Sequence, residues 1–255
     1  MTQMTDRLSN QQIVELAKQK YESQHRSKLP TVIVNLPSQG KIYPDSHPLS
    51  SGQIEMRYMT AYDEDILTNA SYIDNGVVFD KLLESIITSP ISIADIKTPD
   101  KDALIINARI LAYGAEYPVR VIDPKTKKEL DRTIILSELK NKSFDIESNE
   151  NGEFSYTFTN NGTSVELKFI YLNTDISKLK ISEFLTNAIT EVNGNRVKND
   201  IEHFIRYEFL SKDAKAFRNY IAANLPGLDF TYEFEGEDGS TFNSTFPIGP
   251  DLFWF

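Results

Sequence analysis

The stretch 36–65 constrains the fold more than any other, because turn, strand and helix-start signals follow one another within thirty residues. Leu36-Pro37-Ser38-Gln39-Gly40-Lys41-Ile42-Tyr43-Pro44 breaks any regular element with two prolines and a glycine. Ile54-Glu55-Met56-Arg57-Tyr58-Met59 then mostly alternates apolar with charged residues, the period of a half-buried strand. Thr60 stands three residues before Asp63, as an N-cap with an acidic reply does. Asp63, Glu64 and Asp65 crowd the first turn, where the helix dipole favours negative charge. Helix capping accounts for this triplet; a metal or a partner is the competing reading.

Upstream, residues 1–30 read as an arm. One helix is expected around Asn10 to Tyr21, with Ile13, Leu16, Ala17 and Lys20 on one side. A stripe so thin needs a surface to dock on. Thr31-Val32-Ile33-Val34 reads as a short strand. After Asp63 to Thr68, the pattern predicts a helix over Gly76 to Thr88, with Val78, Leu82, Leu83, Ile86 and Ile87 on its apolar face. Thr98-Pro99-Asp100 predicts another, N-capped by Thr98 and closed by a left-handed Gly114. Two hairpins are expected next. Tyr117–Ile122 returns as Leu130–Leu136, and Phe154–Thr159 returns through Asn160-Asn161-Gly162 as Ser164–Tyr171, with Phe154, Tyr156 and Phe158 on one buried face. Apolar residues every three or four places predict a helix from Ile176 to Val192, then helices at Asp200–Leu210 and Ser211–Ala223. Leu228–Glu235 and Ser240–Phe246 form a closing hairpin. The fold class is α+β, helical clusters alternating with antiparallel hairpins in two architecturally similar halves, 31–172 and 173–246. The tail 247–255 is separate.

That tail ends in Leu252-Phe253-Trp254-Phe255, with the only tryptophan. Pro247 and Pro250 forbid a helix or a central strand there. Left in water it would be an aggregation liability, so it is buried on its own domain or in another protein.

Composition narrows the function. A net charge of −10 argues against a protein that grips nucleic acid or an anionic membrane. With no cysteine, disulfides and thiolate zinc sites are excluded. The first thirty residues are polar, and no apolar run approaches the roughly 20 residues that span a bilayer. Asn-Gly-Thr at 161–163 and Asn-Ser-Thr at 243–245 read as turn and strand residues rather than glycosylation acceptors. His25, His47 and His203 are far apart, and no GxSxG, phosphate-binding glycine loop or His-Glu-x-x-His occurs. The acid pairs Glu233/Glu235 and Glu237/Asp238 sit at a hairpin edge and turn, without the spacing of a calcium loop. No active site, metal or cofactor is expected.

The motif Leu36-Pro37-Ser38-x-Gly40-x-x-Tyr43-Pro44, continued by Arg57-x-Met59-Thr60-x-x-Asp63-Glu64-Asp65-Ile66-Leu67, resembles T4-like bacteriophage baseplate proteins, often labelled baseplate hub or tail assembly proteins. The likeness runs on through Arg109-Ile110-Leu111-Ala112-Tyr113-Gly114-x-Glu116-Tyr117 to the terminal Pro247–Phe255, over roughly residues 33–255. The resemblance implies a non-enzymatic structural or assembly protein of a contractile tail baseplate, in its hub region. It would be found in the host cytoplasm during assembly and in the virion tail. Its partners would be other baseplate and tail proteins, with self-association in a symmetric ring open, and neither nucleic acid nor membrane. A transient assembly chaperone and a tail-associated lytic enzyme are the alternatives, the latter turning on Glu116. The expected contacts are the arm, Tyr43, Arg57, Asp63, Glu64, Asp65, Leu252, Phe253, Trp254 and Phe255. Many relatives carry Cys-Pro-x-Cys zinc knuckles where this chain has Asp123-Pro124-Lys125-Thr126 and Glu235-Gly236-Glu237-Asp238. Without those ligands, both tips are expected to rely on turn chemistry and aromatic packing.

Overall fold

A computed structural model of the chain describes residues 29–160, 162–173, 179–246 and 248–254. The helix expected at 10–21 lies outside them, as do Pro247 and Phe255.

Strands β1 (Thr31–Asn35) and β2 (Gln53–Arg57) pair antiparallel, Thr31 opposite Arg57 and Asn35 opposite Gln53. The alternation in β2 does what its period implies: Ile54 and Met56 are buried while Gln53 and Glu55 are exposed. The intervening 36–52 segment is clamped at its base, where the Leu36 N–H donates to the Gly52 carbonyl at 2.8 Å. Helix α1 (Ala61–Leu67) follows Thr60, and a short α2 (Ala70–Asp74) follows Asn69, whose side chain accepts from the Tyr72 N–H. At five residues, α2 is too short to show a period in the sequence. Helix α3 (Val78–Ile86) buries Val78, Leu82, Leu83 and Ile86, and Thr88 beyond it donates its N–H to the Glu55 carbonyl of β2.

Helix α4 (Thr98–Tyr113) is the axle of the molecule. Ala103, Leu104, Ile105, Ile106 and Ala108 are all buried, as are Asp100 and Arg109, so the helix is enclosed on most sides by the rest of the chain. Two expectations about its ends are corrected. Thr98 is already helical, and the N-cap is Lys97, which makes no side-chain capping bond. Gly114 has φ 87° but ψ 173°, an extended rather than left-handed helical conformation. Only glycine enters that region readily, and it turns the chain straight into the next strand.

Strands β3 (Glu116–Ile122) and β4 (Glu129–Ile135) form one hairpin, β5 (Phe154–Asn160) and β6 (Thr163–Phe169) another. The expected helix to Val192 stops early. Helix α5 (Ile181–Ala188) gives way to strand β7 (Ile189–Val192), which pairs antiparallel with β6. Three of its four residues are β-branched, and the free edge of β6 offers them a ladder. Helices α6 (Lys198–Tyr207) and α7 (Ser211–Ala223) then cover this sheet, before β8 (Thr231–Glu235) and β9 (Thr241–Thr245) pair.

The class is α+β, with helices beside small antiparallel sheets of two or three strands. Similar halves divided at 172/173 find no support. β7 completes the sheet begun by β5 and β6, and one continuous cluster of buried side chains runs from Val34 to Phe253. Between sheet and helices lies an aromatic cluster. Phe169 stands 5.3 Å from Phe217, Tyr156 4.9 Å from Tyr220 and Phe158 5.3 Å from Phe209, ring centre to ring centre.

Candidate functional site

The family-like motifs converge on three buried polar knots, each fastening one segment to the α3–α4 core. The first closes the 36–44 turn. Asp100, fully buried in the first turn of α4, accepts from the Ser38 N–H at 3.0 Å, the Ser38 hydroxyl at 2.7 Å and the Tyr43 hydroxyl at 2.7 Å. The Tyr43 oxygen in turn accepts from the Lys97 N–H at 3.0 Å. Burial pushes the Asp100 carboxyl up, against the pull of those bonds and of Lys97. Burial beside Asp100 drives the Tyr43 hydroxyl upward too. Gly40 serves this turn: its φ is 82°, and a Cβ there would lie 2.2 Å from the Ser50 carbonyl oxygen.

The second knot joins β2, α1 and α3. Arg57 meets Asp63 in a two-pronged ion pair, Nη1 to Oδ2 at 2.7 Å and Nη2 to Oδ1 at 2.8 Å. Ser85 donates to Asp63 Oδ1 at 2.6 Å, and the Thr60 N–H donates to Oδ2 at 2.7 Å, the acidic half of the capping arrangement. Burial works to raise the Asp63 carboxyl, but donors from Arg57, Ser85 and Thr60 outweigh it and hold it below the ordinary carboxylate range.

The third knot holds the C-terminal tail. Arg109, fully buried on α4, donates through Nε to the Leu252 carbonyl at 2.8 Å, through Nη1 to Gly114 at 2.8 Å and through Nη2 to Glu116 at 3.3 Å. The rings of Tyr113 and Tyr117 lie 5.2 Å and 5.9 Å from its guanidinium carbon, within cation–π range. Phe253 inserts between Phe79 and Tyr113, at 6.2 Å and 6.4 Å. Glu116 contributes its backbone to this knot while its side chain faces water.

The expected contact residues therefore divide. Tyr43, Arg57, Asp63, Leu252 and Phe253 are buried within this chain, and the tail takes the self-packed course as far as Phe253. Glu64, which accepts from the Tyr113 hydroxyl at 2.7 Å, is exposed, as are Asp65 and Trp254. Sequence reasoning missed Asp100 and gave Arg109 no role. A signal for Asp100 existed: it stands four residues before Leu104 and eight before Ala108, on the apolar side of its helix.

The two hairpin tips meet in space. Lys125 pairs with Asp238 at 3.2 Å and Lys128 with Glu237 at 2.8 Å, while Arg132 donates to the Glu235 carbonyl at 2.7 Å. Each tip is also braced internally. Asp123 accepts from the N–H groups of Lys125 and Thr126, and Asp238 from the N–H and hydroxyl of Ser240. Zinc, which the resemblance places at such tips, does not fit here. Neither tip offers a thiolate or imidazole, Asp238 and Glu237 are engaged by lysines, and Asp123 Oδ1 is taken up by turn N–H groups. Among the described residues no three His, Cys, Asp or Glu side chains converge as a metal site.

Elsewhere an open groove of about 570 Å³ lies between the β5–β6 hairpin end and α6, over Val165, Ile201 and Phe204. Its polar rim is largely amide and carboxylate, with His203 3.2 Å from Glu208. Such a lining can hydrogen-bond to another molecule.

A family model described as T4 bacteriophage base plate protein matches residues 29–245. The chain belongs to this family. No curated protein and no solved structure matches it. The matched span takes in the Ser38–Tyr43–Asp100 and Arg57–Asp63 knots and Arg109 itself. The chain is thus a structural protein of a phage base plate, at work among other tail and base plate proteins. Among its described residues no helix is long and apolar enough to cross a membrane.

Proposed function

We propose that this base plate protein is a non-enzymatic subunit of the hub region of a contractile tail, acting through its surfaces alone. The observation that carries the reading is where the motif residues go. Ser38, Tyr43, Arg57, Asp63 and Arg109 are spent on internal fastening, the first two onto Asp100, which makes a rigid block rather than a reactive cleft. Glu116, the acid on which a lytic activity would turn, lends only its carbonyl to that fastening. Tyr62, Glu64, Asp65 and Trp254 remain outward for neighbours, and a ring of identical copies is the assembly such a block would suit. It would meet those neighbours in the host cytoplasm and stay with them in the virion tail. A transient chaperone that leaves before the tail is complete is the competing form of the same reading.

Mass spectrometry of purified virions tests it. Peptides of this chain at a fixed copy number are expected. Their absence from virions, with presence in infected cells, would replace the subunit by the chaperone.

A further inference from the structure

The region around α1 and α2 concentrates negative charge. Between Gln53 and Ile96 stand Glu55, Asp63, Glu64, Asp65, Asp74, Asp80, Glu84 and Asp95, against only Arg57 and Lys81. Several of these are accounted for. Asp63 pairs with Arg57, Glu84 with Lys81, Asp80 with Lys101, and Asp95 faces His47. Glu64, Asp65 and Asp74 are exposed and form no ion pair among the described residues. Apolar surface accompanies them, with Tyr62 68% exposed, Tyr58 40% and Ile73 38%. Asp63 and Leu67 point inward from α1, which leaves Tyr62 and Asp65, three residues apart, together on its outer side.

The chain enters the fold at this same place. The Tyr58 N–H donates to the Pro30 carbonyl at 3.2 Å, two residues before the cap of α1. The residues just upstream, 10–29, lean to the opposite charge: Lys18, Lys20, Arg26 and Lys28 against Glu15 and Glu22, in a chain whose net charge is −10. Ahead of them Ile13, Leu16 and Ala17 make the thin apolar stripe.

We propose that residues 10–21 dock on the α1–α2 surface of their own chain. The apolar stripe covers Tyr62 and Ile73, and the lysines lie along Glu64, Asp65 and Asp74. The reach is sufficient, because the eight residues 22–29 can extend to about 26 Å. Tethering also favours this occupant over a second copy, since a short linker gives an effective concentration near the millimolar range. The individual ion pairs, exposed to water, contribute little each; opposed net charge and apolar cover together select the surface. A neighbour that uses Tyr62 must then displace the arm. This holds whether the protein stays in the virion or leaves it.

Carbodiimide cross-linking of the full chain, prepared as an equal mixture of light and heavy isotope forms, tests the proposal. Amide links from Lys18 and Lys20 to Glu64, Asp65 or Asp74 within one isotope form are expected, and they should vanish near 1 M salt, where screening acts over about 3 Å. Links to other acids, no links, or links joining light to heavy chains would overturn it. Hydrogen exchange gives a second reading that does not depend on the cross-linking chemistry. Lys18→Glu with Lys20→Glu in the full chain should speed exchange of the α1–α2 backbone, and an unchanged rate would also overturn it.

Discussion

Arg57 and Asp63 show how much of this fold hangs on charges that never reach water. The pair is bidentate, with Ser85 and the Thr60 N–H filling remaining acceptor positions of the carboxylate. Removing one partner leaves the other buried and uncompensated. Arg57→Ala should therefore cost about 3–5 kcal/mol in denaturant unfolding, whereas replacing both residues by apolar ones of similar volume should cost much less. Arg57→Lys should behave more like the alanine variant, because a lysine cannot reproduce the fork. Gly40 makes a comparable case in backbone terms. Its φ of 82° and the 2.2 Å approach of a Cβ to the Ser50 oxygen penalise Gly40→Ala twice, by conformation and by clash with backbone. A loss of roughly 3 kcal/mol or more is expected. Gly76 has φ 68°, but no heavy atom lies within 4 Å of where a Cβ would stand, so Gly76→Ala should lose only about 1–2 kcal/mol. Equal losses at the two glycines would remove the clash from the argument.

Elements with a clear period or strong punctuation were legible in the chain, and the failures have physical causes. The Ser211–Ala223 helix and the three hairpins were readable because proline, glycine and alternating apolar residues fix their limits locally. Ile189–Val192 was not, since its apolar spacing fits a helix as well as a strand and only the free edge of β6 decides. The knots were half legible: the Thr60–Asp63 cap is a local pattern, but Arg109 reaches a carbonyl 143 residues away. The tail is the element where this matters most. Phe253→Ala should cost about 3–5 kcal/mol, the range for deleting a buried aromatic ring, and deletion of 252–255 should cost more, because Arg109 also loses its acceptor at Leu252. Trp254 is 39% exposed, so Trp254→Ala should change unfolding by less than about 1 kcal/mol. If Trp254→Ala blocks base plate assembly while leaving the unfolding curve in place, Trp254 is a contact residue; if both are unchanged, the tail serves only its own chain.

Over the whole molecule the carboxylates pull stability in two directions with pH. Glu153 sits 6% exposed under Arg196, with bonds of 2.7 Å and 2.8 Å from the guanidinium, which hold its carboxyl down at about 2 against an ordinary 4.5. Arg196 also reaches Glu191 at 2.8 Å, so this pairing ties the approach to β5 to the turn after β7. Groups depressed in this way, Glu153 and Asp63, contribute stability that is fully present above their unfolded values and is lost as pH falls through the folded ones. Asp102 acts in reverse. Burial lifts its carboxyl from 3.8 to about 6, only partly offset by Lys142 and Lys101. Its ionised form is therefore a burden above pH 6, relieved as pH falls from there towards 3.8. Asp100, raised for the same reason, adds to that side. Between pH 6 and 4.5 only the Asp102 limb is active and stability rises as pH falls, so these groups together favour a maximum near pH 4.5, below neutrality. Asp102→Asn should lift the upper limb, stabilising the chain by about 1–3 kcal/mol near pH 8 with little effect near pH 4. Urea midpoints across this range decide it: a variant less stable than the parent at the higher pH would mean that Asp102 is held by its lysines after all.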